Sequence, residues 1–314
     1  MAGSDSTAAR VLEALRIERD RYTQALLAPL TEAGYHHDWR AFTAFTARVG
    51  LQSLPASAET VGLFVTARLA DGRKPSTVTR QVAAIARIHR EHGFPGPSTD
   101  QARAILRGAR RLHPQAEEQM KPLTLADVRA IGMELARQDT PIALRDRAIV
   151  LVGFASALRS ANLVALLLED VEFVEEGVRL TIRKEKQDQE GKLRRWVGIP
   201  HGRHPENCPV AALRDWIARR GSFPGPLFTR FDNQHVGQAL QPERICQLVQ
   251  AALRRIGGYG SHSMRAGFVT EAGLAGASDL LIATQTGHHD MQVLRRYFRR
   301  QDVFRSNVCG LLDL

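Results

Sequence analysis

Val171-Glu-Phe-Val174, Val178-Arg-Leu-Thr-Ile182 and Trp196-Val-Gly-Ile199 are three short β-like runs in a chain that otherwise reads as helices. Glu176-Gly177 supplies a turn between the first two, and the polar stretch Lys184–Lys192 makes a longer connection to the third. They predict one small antiparallel sheet. Just upstream, Thr124 and Asp127 have the spacing of a capping box and start a helix to about Arg137. Ala143–Leu158 reads as a buried helix ending at Arg159. Downstream, helical spacing returns over Pro209–Arg219, Pro242–Ile256, Ser263–Ala272, Asp279–Gln285 and Val293–Arg299.

Further towards the N-terminus the pattern is helical throughout. Trp39, Phe42, Phe45 and Val49 share one face, Val61–Leu69 forms a second helix, and Pro75-Ser76 opens a third lined by Val78, Val82 and Ile85. Pro95, Pro97 and Ser98 precede a fourth, with Ala102, Ile105, Leu106 and Ala109 inward. That arrangement leaves Arg73, Lys74, Arg80, Arg87, Arg107, Arg110 and Arg111 outside. His113–Pro122 has two prolines and no apolar period, as a linker would. The expected organisation is a partly disordered N-terminal extension (1–30), a helical domain (31–112), the linker (113–122) and an α+β domain (123–314). The fold class is mainly α with a small antiparallel β-sheet.

Composition narrows the function. With 314 residues, 44% hydrophobic and 24% charged, the chain is neither mainly disordered nor fibrous. Lys and Arg number 43 against 33 acidic residues, a formal charge of +10 that favours a polyanionic partner. Aromatics at 6% disfavour a carbohydrate groove or a pure aromatic-stacking single-strand binder. Cys208, Cys246 and Cys309 are scattered and form no CxxC pair, which suits a reducing cytoplasm. The longest apolar run, Ala148–Ala157, is broken by Gly153 and Ser156 and is too short to span a bilayer, so no membrane partner is expected. His201, His204 and Cys208 have loose ligand spacing without an apparent fourth ligand, and no metal is expected there.

The chemistry-bearing residues gather in the second half. His262-Ser-Met-Arg265 puts an imidazole and a guanidinium on one helix face, near a helix N-terminus that favours an anion. Thr286-Gly-His288 follows, then Tyr297 within Leu294-Arg-Arg-Tyr-Phe-Arg, nine residues after His288. Upstream lie Arg159, in Ala157-Leu-Arg-Ser160, and Lys186, in the polar connection. Singly, each signal is weak: a His/Arg pair is more often a solvated face, and a tyrosine between Leu294 and Phe298 more often a core residue. Order and spacing together are specific.

An arginine, a hairpin lysine, HxxR, GH and a tyrosine nine residues on resemble the tyrosine recombinase (phage integrase-type) family, in a Cre-like two-domain arrangement. His37-Asp-Trp-Arg-Ala-Phe42, Leu54-Pro-Ala56, Ser76-Thr77 and His89 look like that family's core-binding domain, and Phe304–Leu312 like its final helix. The resemblance implies a site-specific recombinase in which Arg159, Lys186, His262, Arg265, His288 and Tyr297 form the active site. It has two departures: Asn162 stands where an acidic residue commonly follows the first arginine, and Met264 replaces the usual Leu of HxLR.

The implied roles suit the residue types. Two arginines can each fork onto a phosphate, which a lysine cannot do. Tyr297 would attack, His262 take its proton, Lys186 protonate the departing 5′ oxygen, and His288 bond the phosphate. Bond energy is retained in a 3′-phosphotyrosyl link, which implies neither ATP nor metal as cofactor. The implied partners are double-stranded DNA recombination sites, gripped by both domains with the seven outward basic residues contributing. Also implied are a homo-tetramer on two sites, joined through the apolar tail Val303–Leu314, a Holliday junction intermediate, and a cytoplasmic, nucleoid-associated protein. A type IB topoisomerase-like enzyme and a catalytically silent DNA-binding relative are the alternatives. The apolar tail argues against the first, and the six filled positions against the second.

Overall fold

The structure is a computed structural model that describes residues 3–24, 29–114, 120–183, 195–232, 235–253, 259–260, 262–288, 290–292 and 294. The chain divides into two units, Met1–Glu117 and Glu118–Leu314. The first contains α1 (Gly3–Gln24), α2 (Pro29–Val49), α3 (Ala58–Ala70), α4 (Pro75–Glu91) and α5 (Asp100–Leu112). Where the sequence suggested a partly disordered extension, α1 is helical. Its Ala, Leu, Arg and Glu are good helix formers, and Val11, Leu12, Leu15 and Ile17 stay exposed.

Local signals set the ends of these helices. The Ser57 hydroxyl accepts the Thr60 amide to cap α3, and Pro75 opens α4, where no amide hydrogen is needed. Phe42, Phe64, Val78, Val82, Ile85, Ala102 and Leu106 close the core, with the Phe42 and Phe64 rings edge-on at 5.2 Å. His89 is wholly buried among them. Its Nε2 accepts the Ala56 amide at 2.8 Å, so its Nδ1 carries the hydrogen donated to the Ile85 carbonyl, also at 2.8 Å.

The second unit runs α6 (Leu125–Ala136), α7 (Pro141–Ser156), α8 (Ser160–Val164), β1 (Val171–Val174), β2 (Gly177–Ile182), β3 (Arg195–Pro200), α9 (Pro209–Arg220), β4 (Thr229–Asp232), β5 (His235–Ala239), α10 (Pro242–Ala252), α11 (Ser263–Leu274) and α12 (Asp279–Thr286). The capping box at α6 is reciprocal: Thr124 Oγ1 accepts the Asp127 amide and Asp127 Oδ2 the Thr124 amide, each at 3.1 Å. α7 is buried nearly all round and forms the axis of the core. Its charged residues are satisfied in place: Arg145 pairs with Asp146 at 2.6 Å, and Arg147 with Asp215 at 3.0 Å.

β1, β2 and β3 form the expected antiparallel sheet, with Val171 opposite Leu180 and Leu180 opposite Val197. Val178, Leu180, Ile182, Val197 and Ile199 alternate onto the core. A second, two-stranded sheet of β4 and β5 was not expected. Thr229-Arg-Phe-Asp232 and His235-Val-Gly-Gln-Ala239 carry one Phe and one Val between them, too few large apolar β-formers to mark a strand. Residues 254–256 of the expected helix Pro242–Ile256, and most of Val293–Arg299, lie outside the described residues.

α11 meets the chain entering α6 at backbone distance. The Leu123 amide donates to the Ser263 carbonyl at 3.0 Å, and a Cβ on Gly267 would stand 2.0 Å from the Leu123 oxygen. Gly267→Ala must therefore push α11 off this segment, at a cost of roughly 1–3 kcal/mol. Gly108→Ala is the opposite case, since nothing lies within 4 Å of its Cβ position. It sits inside α5 and should gain ~1 kcal/mol from helix propensity. Urea unfolding of both variants checks the sign of each.

Candidate active site

The site begins where α7 stops. The helix ends at Ser156, earlier than the periodicity suggested, because Ala157 takes a left-handed conformation (φ 51°, ψ 26°). For a residue with a Cβ this costs about 1–2 kcal/mol. The turn delivers two things: it aims the Ala157 carbonyl at Arg265, and it puts Arg159 at the N-cap of α8.

Arg265 stands in the first turn of α11 and is only 2% exposed. One terminal nitrogen donates to the carbonyls of Ala157 and Thr286, at 2.8 Å each; the other donates to His288 Nε2 at 3.1 Å. A single guanidinium thereby joins the end of α7, the end of α12 and the loop beyond it. Behind it, Met264 packs into the space left by Gly153 of α7.

α12 ends at Gly287, which is left-handed (φ 69°) and returns its amide to the Ala283 carbonyl. His288 follows, half-buried. Its Nε2 can only accept from Arg265, so the ring hydrogen is on Nδ1, 2.6 Å from Thr286 Oγ1. The Thr286 hydroxyl in turn donates to the Ile282 carbonyl at 2.6 Å, which leaves its oxygen to accept from His288. Burial, and then the charges of Arg265, Arg159 and Arg195, lower the His288 pKa from 6.5 to about 4. The ring is neutral at physiological pH.

The structure thus brings Arg159, Arg265 and His288 together. Arg159 is half-buried, and its guanidinium makes no hydrogen bond or ion pair with any described residue, Asn162 included. His262 is exposed at the N-cap of α11, one turn before Arg265. Lys186 and Tyr297 lie outside the described residues. Lys186 belongs to the connection between Ile182 and Arg195, which are paired at the ends of β2 and β3. Leu294, three residues before Tyr297, is buried with Val269, Ile282 and Ala283 of α11 and α12.

Arg195 escaped the sequence reading. It opens β3 and donates to the Gln285 carbonyl at 3.1 Å, beside Gly287. The signal available was a basic residue at the exit of the lysine-bearing connection. In the first unit, Arg73, Lys74, Arg107, Arg110 and Arg111 are exposed, and Arg110 donates to Thr79 Oγ1 at 3.3 Å. Arg80 and Arg87 are engaged inside the chain, with the buried Asp38 at 2.8 Å and with Glu91 at 2.6 Å.

The His288 environment makes a pH prediction. In the unfolded chain its imidazole takes up a proton near pH 6.5, whereas the folded site holds out to about 4. Its contribution to stability is complete above about pH 6.5 and is lost as the pH falls towards 4. His288→Gln, which does not titrate, should show a shallower loss of stability across that window in urea unfolding. An unchanged slope would refute the assignment.

Comparison with known proteins gives the family. The model of the phage integrase family matches residues 121–303. The integrase/recombinase xerD homolog of Selenomonas ruminantium is 30% identical, over 94% of this chain and 89% of its own length. Tyrosine recombinase XerC of Pelobacter propionicus is 26% identical, over 88% and 86%. Among solved structures, the Tn1549 transposon integrase in complex with transposon right end DNA has a TM-score of 0.63 at 14% identity, covering 95% of this chain and 97% of that one. A lambda integrase dimer bound to a COC′ core site gives 0.59 at 16% identity, covering 96% and 82%. These likenesses show the fold. With a family model spanning over half of its length and a relative 30% identical across nearly all of it, this chain belongs to the phage integrase family and is a site-specific recombinase of the tyrosine type.

Proposed function

We propose that this recombinase cuts and rejoins duplex DNA through a 3′-phosphotyrosyl link to Tyr297. The observation that carries the reading is the Arg265 guanidinium, buried and oriented by three bonds before any ligand arrives. Phosphoryl transfer asks mainly for positioning and charge stabilisation, and fixed donors spare reorganisation in the transition state. Arg159 and Arg265 hold the non-bridging oxygens. The Tyr297 oxygen attacks phosphorus as His262 takes its proton, and the bond to the 5′ oxygen breaks as Lys186 protonates it. A 5′-hydroxyl from a partner strand reverses the step, and exchange passes through a Holliday junction.

His288 has a more particular part. While Nε2 accepts from Arg265, it has no hydrogen to give a phosphate. A bound phosphate offsets the cations that hold the ring neutral. A proton then added to Nε2 lets His288 donate to a phosphate oxygen.

Around this centre the exposed basic residues of the helical domain, 31–112, supply phosphate contacts that position the duplex without reading sequence. Both units grip the DNA, with 113–122 as the link between them. Among the described residues no helix is long and apolar enough to cross a membrane. We infer from DNA as the substrate that the enzyme works at the nucleoid, in the cytoplasm.

Assembly uses the tail. We infer that Val303–Leu314 of one copy docks on the second unit of a neighbour. That unit carries an apolar groove of about 650 Å³, lined among others by Leu151, Phe154, Phe268, Leu281 and Ile282. Val303, Phe304, Val308, Leu311, Leu312 and Leu314 match it in chemistry. Head-to-tail donation of this kind closes a ring of four on two DNA sites.

Two experiments test these statements. Full-length protein is incubated with a pool of nicked, randomised duplexes, and covalent complexes are captured under denaturing conditions and sequenced. The wild type should retain DNA through a 3′ phosphate, while Tyr297→Phe binds DNA equally and retains none. A persistent adduct in that variant would overturn the nucleophile. Deleting Val303–Leu314 should leave binding to one recovered site intact and abolish pairing of two, read by native mass measurement. Unchanged pairing would mean that the tail belongs to its own unit.

A further inference from the structure

The exit of the lysine-bearing connection is tied to the loop that carries His288. Arg195, the first residue of β3, donates from one terminal nitrogen to the main-chain carbonyl of Gln285 at 3.1 Å. Its guanidinium lies against Gly287: a Cβ there would stand 3.0 Å from Nε and 3.1 Å from Cζ. The Gln285 side chain completes the tie, its amide donating to the Ala155 carbonyl at 3.1 Å and, at longer range, to the Gly198 carbonyl at 3.4 Å. The last turn of α12 is thereby fastened to α7 and, twice, to β3. At the entrance of the same connection, Arg183 is held by Asp170 at 2.5 Å and Glu169 at 3.3 Å.

We propose that Arg195 is a positioning residue of the recombination site, whose bond to Gln285 and close fit on Gly287 hold His288 in line with Arg265. Two further observations support this. Among the described residues, Arg195 is one of three cations whose charge opposes protonation of His288, with Arg265 from α11 and Arg159 from the turn before α8. Only Thr286 and Gly287 separate the Gln285 carbonyl that Arg195 engages from His288, and only Gly287 separates the Thr286 carbonyl that Arg265 engages from it, so a shift of the Arg195 guanidinium reaches His288 over a short stretch of main chain. The simpler reading is that Arg195 only caps the C-terminus of α12, where a cation is favourable. A cap alone affects stability and leaves the adduct rate of the folded enzyme untouched.

The proposal rests on His288 acting in the site, so the test separates the two. Imidazole NMR titration of the full-length, DNA-free chain follows His288, assigned with His288→Gln. In Arg195→Gln the His288 midpoint should rise, by up to about half a unit, because the smallest of the four effects that lower it is lost. Arg195→Lys keeps the charge and should stay close to wild type. Adduct formation on the nicked duplex pool should fall ~10–10²-fold in Arg195→Gln, the range expected for a misplaced site, and recover in part in Arg195→Lys. An unmoved midpoint in Arg195→Gln, whatever the adduct rate, overturns the proposal. So does a wild-type adduct rate in Arg195→Gln where His288→Gln lowers it, which returns Arg195 to capping. Equal loss of adduct in both variants overturns it as well. If the midpoint rises but His288→Gln forms adduct at the wild-type rate, positioning stands, and the part given to His288 in catalysis is what fails.

Discussion

A cation buried to 2% exposure needs compensation, and Arg265 finds much of it in main-chain dipoles. The carbonyls of Ala157 and Thr286 lie at the C-terminal ends of α7 and α12, where the helix dipole adds partial negative charge. Burying an ion unaided costs several kcal/mol. Carbonyl oxygens offset that cost without cancelling the charge as a carboxylate would. The guanidinium is therefore stabilised in the fold and still carries its charge for a phosphate.

The rest of the second unit serves that bond. α7, buried nearly all round, gives its end a fixed place. α11 is pinned to the chain at Leu123 and packed on Gly153 through Met264, which sets where Arg265 starts. α12 is closed by Gly287, and its last turn is tied by Gln285 to α7 and β3. The first unit has a comparable tie in His89, a core histidine whose two nitrogens join α4 to the turn before α3. Its resemblance to a family position reflects packing.

Signals that are local in chemistry were legible. The capping box of Thr124 and Asp127, the alternation of Val178, Leu180 and Ile182, and the prolines that open α4, α9 and α10 each mark an element within a few residues. HxxR and GH were legible as spacing, and the structure brings Arg159, Arg265 and His288 together. Tertiary causes were not legible. Nothing local says that Ala157 turns left-handed, that two short strands pair at 229–239, or that Arg195 reaches across to Gln285. The hydrogen on Nδ1 of His288 follows from what Arg265 and Thr286 do around it, which spacing does not encode.

Among the described groups that bond Arg265 are two main-chain oxygens, and such atoms are carried by every residue type. Substitution at 157 or 286 changes what surrounds them and leaves the acceptors themselves chemically intact. Drift in sequence can therefore run through these positions without deleting a partner of the arginine. What damages the arrangement is a change in where the helices end. The tolerance of the site to mutation is set by its two C-caps, and a glycine or a breaker misplaced near either end does harm that no inventory of conserved side chains would register.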